Sequence, residues 1–276
     1  MSADTSKSKS QWLVIRETVS RHSKIILGTI PILIILTIWQ ICTTGSAESR
    51  IISPLILPSP LEVISPATIH AVWFEAELSR SIVASTMRVV FGFLIGCGIA
   101  FPLAIMMGSF SKINALFEPG TVFLAYLPIP ALVPLTMSLF GIGETQKIMF
   151  LALAFMIYLI PLLVKAVNEV DNVYLQTAYT LGVKRWKMVQ KVLVPIALPQ
   201  IYQAMRMGFG VGWTYIILAE MVAADRGLGQ IIIIAQRRAY VSRIYLVLLV
   251  IVLIAFLTDK IWQYGYKQFF PYKRAR

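Results

Sequence analysis

The sequence is poor in charge. Only 14% of its 276 residues are Asp, Glu, Lys or Arg, where soluble chains average about 25%. With 58% hydrophobic residues and a mean hydropathy of +0.76, the composition excludes an ordinary soluble domain. It fits a polytopic helical membrane protein. Acid is scarcest: 13 Asp and Glu face 25 Lys and Arg, for a formal net charge of +12. No nucleic-acid partner is expected, because the basic residues flank apolar runs instead of forming a soluble patch. Cys42 and Cys97 are the only cysteines, both in or beside apolar runs. This argues against a disulfide framework or a metal site. His22 and His70 are isolated and far apart, and make poor metal ligands.

Chemical machinery is also missing. There is no G-x-x-x-x-G-K-[ST] phosphate loop, so the chain does not bind and hydrolyse ATP in that way. No Ser/His/Asp set, paired carboxylates or His-rich cluster stands out, and catalysis by this chain alone is not expected. Inverted hydropathy repeats of the kind found in secondary transporters are not evident. The first apolar run follows a long polar stretch without a clear small-residue cleavage site, unlike a secretory signal.

What is present is apolar run after apolar run. Six spans are expected, at about 25–42, 84–107, 117–140, 148–164, 196–222 and 244–261. Residues 1–24 form a polar, basic segment, in which Trp12, Ile15 and Val19 recur at helical spacing suited to a membrane surface. Residues 43–80 carry Pro54, Pro58, Pro60 and Pro66, which forbid one continuous helix; a short helix is expected from Pro60. Gly92 and Gly96 make a G-x-x-x-G pair, and Gly208, Gly210 and Gly212 a second small-residue face. Pro128, Pro130 and Pro134 within span three rule out a regular helix facing lipid, so this segment faces protein or a water-filled cavity. Arg206 and Glu220 are the charged residues of span five, where ionisable groups tend to face the bundle interior. Residues 231–235 are too few to span and suit a short helix dipping back at the outer face.

The organising stretch is polar and runs over residues 176–195, between spans four and five. Leu175, Ala178, Tyr179, Gly182, Trp186 and Val189 recur at roughly helical spacing, and Lys184, Arg185, Lys187 and Lys191 make it basic. Gly182 suits a break between two short helices, and Pro195 is expected to stop or re-aim the chain before the next span. A plain connector on the inner side is also basic, but needs only a few residues. With the N-terminus inside, six spans put both termini and this loop in the cytoplasm. That side then holds about 16 of the 25 Lys and Arg, against about 8 outside, the bias of the positive-inside rule.

The same stretch resembles a family signature, the Glu-Ala-Ala, three residues, Gly, nine residues, Ile-x-Leu-Pro loop of permeases in binding-protein-dependent ABC importers. Gln176-Thr177-Ala178 stands for the triplet, Gly182 falls at the same offset, and Val192-Leu193-Val194-Pro195 stands for the end. The spacing is intact, while Gln176, Thr177, Val192 and Val194 depart from the strict residues. Leu57-Pro58-Ser59-Pro60, Phe140-Gly141-Ile142-Gly143-Glu144, Gly208 to Trp213, and Ala219-Glu220 with Arg226-Gly227-Leu228-Gly229 are similar to one branch. That branch is the nitrate/sulfonate/taurine/bicarbonate permeases.

The resemblance implies an all-α type I ABC importer permease fold with six transmembrane helices over residues 25–265, a cytoplasmic coupling loop at about 168–195, and a basic tail at 266–276. It implies a permease subunit of an ATP-driven importer in the bacterial inner membrane. A second copy, separate ABC ATPase subunits that bind ATP and Mg, and an extracytoplasmic substrate-binding protein are the implied partners. ATPase docking falls to Gln176, Ala178, Gly182, Arg185, Trp186, Val192 and Pro195. The expected path lining is Tyr126, Pro128, Pro130, Trp213 and Glu220, and the expected solute is a small anion. The competing expectation is a stand-alone ion-driven carrier or channel.

Overall fold

The computed structural model describes residues 19–46, 49–222 and 224–275; the expected amphipathic helix around Trp12 and Ile15 lies outside them. The chain divides into two compact units, Met1–Pro60 and Leu61–Arg276. In the first, α1 (Arg21–Cys42) starts at Ser20, whose hydroxyl accepts a hydrogen bond from Ser23 N at 3.2 Å. Its apolar side chains are exposed from Ile25 to Ile38, as suits lipid on most sides. The Trp39 indole donates to Pro58 O at 2.8 Å and ties the prolyl segment back to it.

Two short helices, α2 (Pro60–Val63) and α3 (Pro66–His70), and a π-helical turn at Ala71–Glu75 lead into the bundle. The bundle's main helices are α4 (Leu78–Ser109), α7 (Glu144–Asn168), α10 (Val194–Glu220) and α12 (Val241–Phe269). Among the described residues four helices, α1, α4, α7 and α12, are long and apolar enough to cross a membrane. Helix α10 rises roughly 40 Å at 1.5 Å per residue, also enough to cross, with a more polar sequence.

The expected third span is reorganised. Instead of one helix over 117–140, α5 (Ser111–Ala125) and α6 (Leu132–Phe140) meet at 90° across a 3-10 turn at Ile129–Ala131. Pro128 and Pro130 occupy the break. Pro134 falls in the first turn of α6, where a helix has no N–H bond to lose. Helix α5 also begins before the apolar run, at Ser111, and none of its side chains is buried.

Glycines set how close the core helices come. A Cβ on Gly92 would sit 2.7 Å from Leu151 Cβ, and one on Gly96 would sit 2.7 Å from Ala152 O. So α4 and α7 pack nearly backbone to backbone, as the G-x-x-x-G spacing predicts. Gly208 and Gly212 admit Leu159 and the Phe155 ring of α7 against α10. Phe93 then centres an aromatic cluster, with edge-on contacts to Phe155, Phe209 and Trp262 at 5.3, 5.1 and 5.9 Å.

Candidate functional site

Three features hold polar chemistry. The first is the hairpin after α7. Helix α8 (Asn172–Thr180) is capped by Asp171, whose carboxylate accepts from Val173 N at 3.0 Å. It ends where Gly182 takes a left-handed φ of +73°. There Gly182 N reaches Tyr179 O at 2.9 Å and Val183 N reaches Ala178 O at 3.1 Å, the pattern of a glycine-terminated helix. The chain turns into α9 (Arg185–Met188), a π-helical segment at Val189–Leu193, and α10.

Pro195 does not stop the chain, one of the two outcomes expected from the sequence; helix continues through it. Proline removes one N–H and crowds the carbonyl four residues back, which here belongs to Lys191. The widened turn over Val189–Leu193 absorbs that defect in place of a break.

The hairpin is apolar and basic at once. Ala178 is buried, whereas Val173, Tyr174, Tyr179, Leu181 and Trp186 are exposed, unusual for residues in a polar segment. Gln176, Arg185 and Pro195 are exposed and Val192 is half-buried. No acidic residue occurs between Asp171 and Glu220. The Trp186 ring stands edge-on to Phe110, at the α4–α5 junction, with centroids 5.7 Å apart. Beside that contact lies a cleft of about 570 Å³, lined by Phe110, Lys112, Asn168, Leu175, Tyr179 and Arg185.

The second feature is the α5–α6 break. Tyr126 is 84% exposed, and Pro128 and Pro130 are exposed beside it. Trp213 and Glu220, expected with them along a path, are instead enclosed, at 2% and 1% exposure. The five residues therefore do not share one open surface.

The third feature encloses Glu220. It contains Arg88, 4% exposed, and Lys147, 2% exposed. The Arg88 guanidinium donates to both Glu144 oxygens, Nε to Oε2 and Nη2 to Oε1, each at 2.6 Å. Its Nη1 donates to Glu220 Oε1 at 2.6 Å and to Arg226 O at 2.7 Å. Ser85 donates to Glu220 Oε1 at 2.7 Å and accepts from Leu228 N at 3.0 Å. Glu220 Oε2 accepts from Gly229 N at 2.8 Å. Lys147 Nζ donates to Gly143 O at 3.3 Å and Glu144 Oε1 at 3.4 Å. Two cations thus meet two carboxylates, the arrangement that makes buried charge tolerable.

This cluster closes the start of α11 (Leu228–Arg237). Gly227, at the cap position, has no side chain for the free N–H groups. Ser85 and Glu220 satisfy the first two from other helices. A Cβ on Gly227 would strike the Glu220 carboxylate, and one on Gly229 would lie 2.8 Å from Glu220 Cβ. Both glycines of Arg226-Gly227-Leu228-Gly229 are therefore spatial requirements.

Sequence reasoning singled out Glu220 but missed Arg88 and Ser85 as its partners, and Glu144 as the second carboxylate on Arg88. It also missed Asp259 as the partner of Arg206. One signal was available: Arg88 is the sole charge between Arg80 and Lys112, and a lone charge in an apolar run calls for a buried partner. Among the described residues no His, Cys, Asp and Glu group is placed to hold a metal.

The profile of the binding-protein-dependent transport system inner membrane component family matches residues 100–264. The chain belongs to this family. It is the permease subunit of an ABC importer, a multi-pass membrane protein that works with ATPase and binding-protein partners. The taurine transport system permease protein TauC of Escherichia coli K12 is 32% identical, over 92% of this chain and 91% of its own length. The bicarbonate transport system permease protein CmpB of Synechococcus elongatus is 28% identical over 86% of each. The fold is similar to that of the MetNI methionine ABC transporter in an inward-facing conformation. The TM-score is 0.61 at 19% identity, over 69% of this chain and 95% of that one. The chain has the type I importer permease fold.

Proposed function

We propose that two copies of this chain enclose a path for a small anion, with both termini and the α8–α9 hairpin in the cytoplasm. Separate ATPase chains bind ATP and Mg and dock on the hairpin. Gly182 sets its turn, Trp186 is the apolar anchor, and Arg185 pairs with acid on the ATPase. Gln176, Ala178, Val192 and Pro195 shape the docking face. The observation that carries this reading is the hairpin itself: exposed Tyr179, Leu181 and Trp186 amid uncompensated basic residues. Such a surface fits a protein partner with an apolar pocket and an acidic rim.

ATP-driven closure of the ATPases draws the hairpins together and turns the path from inward-open to outward-open, a rigid-body switch between two packings. Tyr126, Pro128 and Pro130 are the path residues offered at the α5–α6 break, where backbone groups released from helix need water or protein. Trp213 and Glu220 act from behind the wall in this conformation. The anion class rests on the names of the taurine and bicarbonate relatives and on the arginines outside the membrane core.

The test is reconstitution in proteoliposomes with the partner ATPase and binding protein, offering taurine, an alkanesulfonate and bicarbonate in turn. Uptake that needs ATP and both partners is expected. Uptake by the lone chain, driven by an ion gradient, would instead establish a carrier.

A further inference from the structure

The docking hairpin and the buried charge cluster lie at opposite ends of one unbroken helical run. From Arg185 the chain is helical through α9, the π segment and α10 to Glu220, roughly 54 Å of rise at 1.5 Å per residue. Its first turn carries Arg185 and Trp186. Its last residue, Glu220, takes the N–H of Gly229 directly and that of Leu228 through Ser85. Arg88 of α4 holds both the Glu220 carboxylate and the Arg226 carbonyl. The start of α11 is thus fastened to the tip of α10 and the flank of α4 by buried groups.

The fastened element borders an opening. Helix α11 forms one wall of a cleft of about 280 Å³, whose lining includes Glu77, Asp225, Arg226, Gln230, Arg238 and Arg243. Leu228, Ile231, Ile232 and Ala235 of α11 are buried, so the helix moves with what it is packed on. A shift of α10 at its hairpin end thus reaches that wall through this packing and through the Glu220 fastening.

We propose that Glu220 and Arg88 are positioning residues for coupling, a latch by which movement at the docking hairpin is carried along α10 to α11. The proposal rests on the permease reading above. The latch stays closed through the cycle, and its loss separates ATP hydrolysis from solute movement.

The experiment uses the full permease–ATPase complex in proteoliposomes with its binding protein, with taurine, an alkanesulfonate and bicarbonate offered as probes. Glu220→Gln keeps size and an acceptor oxygen but removes the charge. Gly229→Ala keeps every charge and instead drives a methyl to within 2.8 Å of Glu220 Cβ and 2.9 Å of Ile217 O. Each is expected to assemble with the ATPase and keep binding-protein-stimulated hydrolysis within about twofold, while uptake falls about tenfold or more. Arg88→Lys, which retains the charge but not the forked geometry, is expected between wild type and Glu220→Gln. That split in Gly229→Ala, which is outside the path and docking residues, supports the latch. Wild-type uptake in Gly229→Ala, or uptake, hydrolysis and assembly falling in proportion in it, overturns it. Failure of the permease reading shows itself separately, as a wild-type chain that takes up solute with no ATPase present.

Discussion

Arg206 of α10 and Asp259 of α12 form a two-point ion pair, Nε to Oδ1 at 2.5 Å and Nη2 to Oδ2 at 2.9 Å. Gln203 accepts from Arg206 Nη1 at 3.2 Å, and Gln263 donates to Asp259 Oδ2 at 2.8 Å. Their side chains are 26% and 39% exposed, so a charge left without its partner costs about 1–2 kcal/mol, less than the roughly 2.5–3.5 kcal/mol at a membrane-helix centre. Arg206→Met and Asp259→Asn are each expected to lose stability of that order. The double variant Arg206→Met with Asp259→Leu should regain most of it. Thermal unfolding of the detergent-solubilised complex reads this, and a double-variant loss equal to the sum of the two single losses would show that the pair is not coupled.

The packing of α4 on α7 separates two glycines of one helix. A Cβ on Gly96 lies 2.7 Å from Ala152 O and 2.9 Å from Phe155 Cβ, while one on Gly98 meets nothing within 4 Å. Gly96→Ala is expected to destabilise by about 1–3 kcal/mol through overpacking. Gly98→Ala should stay within about 0.5 kcal/mol of wild type. Denaturant unfolding of the two variants side by side checks the contrast.

At Gly182 the constraint is backbone geometry without crowding: φ is +73° and a Cβ would meet no atom within 4 Å. Gly182→Ala is expected to cost about 1–2 kcal/mol at the turn, and Gly182→Asn less. Gly182→Glu should insert normally yet uncouple hydrolysis from uptake, since it also places acid in the basic docking face. Normal transport by Gly182→Glu removes this turn from the coupling surface.

Trp186 contributes on two sides, to Phe110 of its own chain and to the surface beyond. Losing the edge-on contact is worth about 0.5–1.5 kcal/mol. Trp186→Ala is therefore expected to lower recovery of the ATPase with the permease far more than it lowers permease stability, and Trp186→Phe to restore much of it. Co-purification at matched permease levels measures the effect. Unchanged ATPase recovery in Trp186→Ala would place docking elsewhere.

Helix positions were legible because lipid demands long apolar runs: the starts and ends of α4, α7 and α12 extend the runs at 84–107, 148–164 and 244–261 by two to eight residues. The glycine spacing at Gly92 and Gly96 forecast a close approach, and the prolines at 128–134 forecast an irregular span. The 90° bend was not legible, because proline specifies what a helix cannot do there and leaves the new direction to packing. Nor was the start of α5, where Lys112, Asn114 and Glu118 disguise a helix as a loop. Pro195 misled for a related reason, since the π turn that accommodates it has no signature in side-chain periodicity. The meeting of Arg88 with Glu220 was out of reach: periodicity tells which face a residue shares, not which distant residue faces it.

The bonds around Glu220 have a consequence for recombination. Ser85 and Arg88 stand some 130 positions before Glu220 and the Arg226–Gly229 turn, yet each is shaped to the other. A hybrid permease joining the first half of this chain to the second half of a relative will accept a crossover between them only if the relative carries matching groups at both places. Otherwise an orphaned charge is sealed inside the bundle. Shuffled libraries screened for transport should accordingly be depleted of hybrids that mix parents at 85 and 88 against 220 and 226–229.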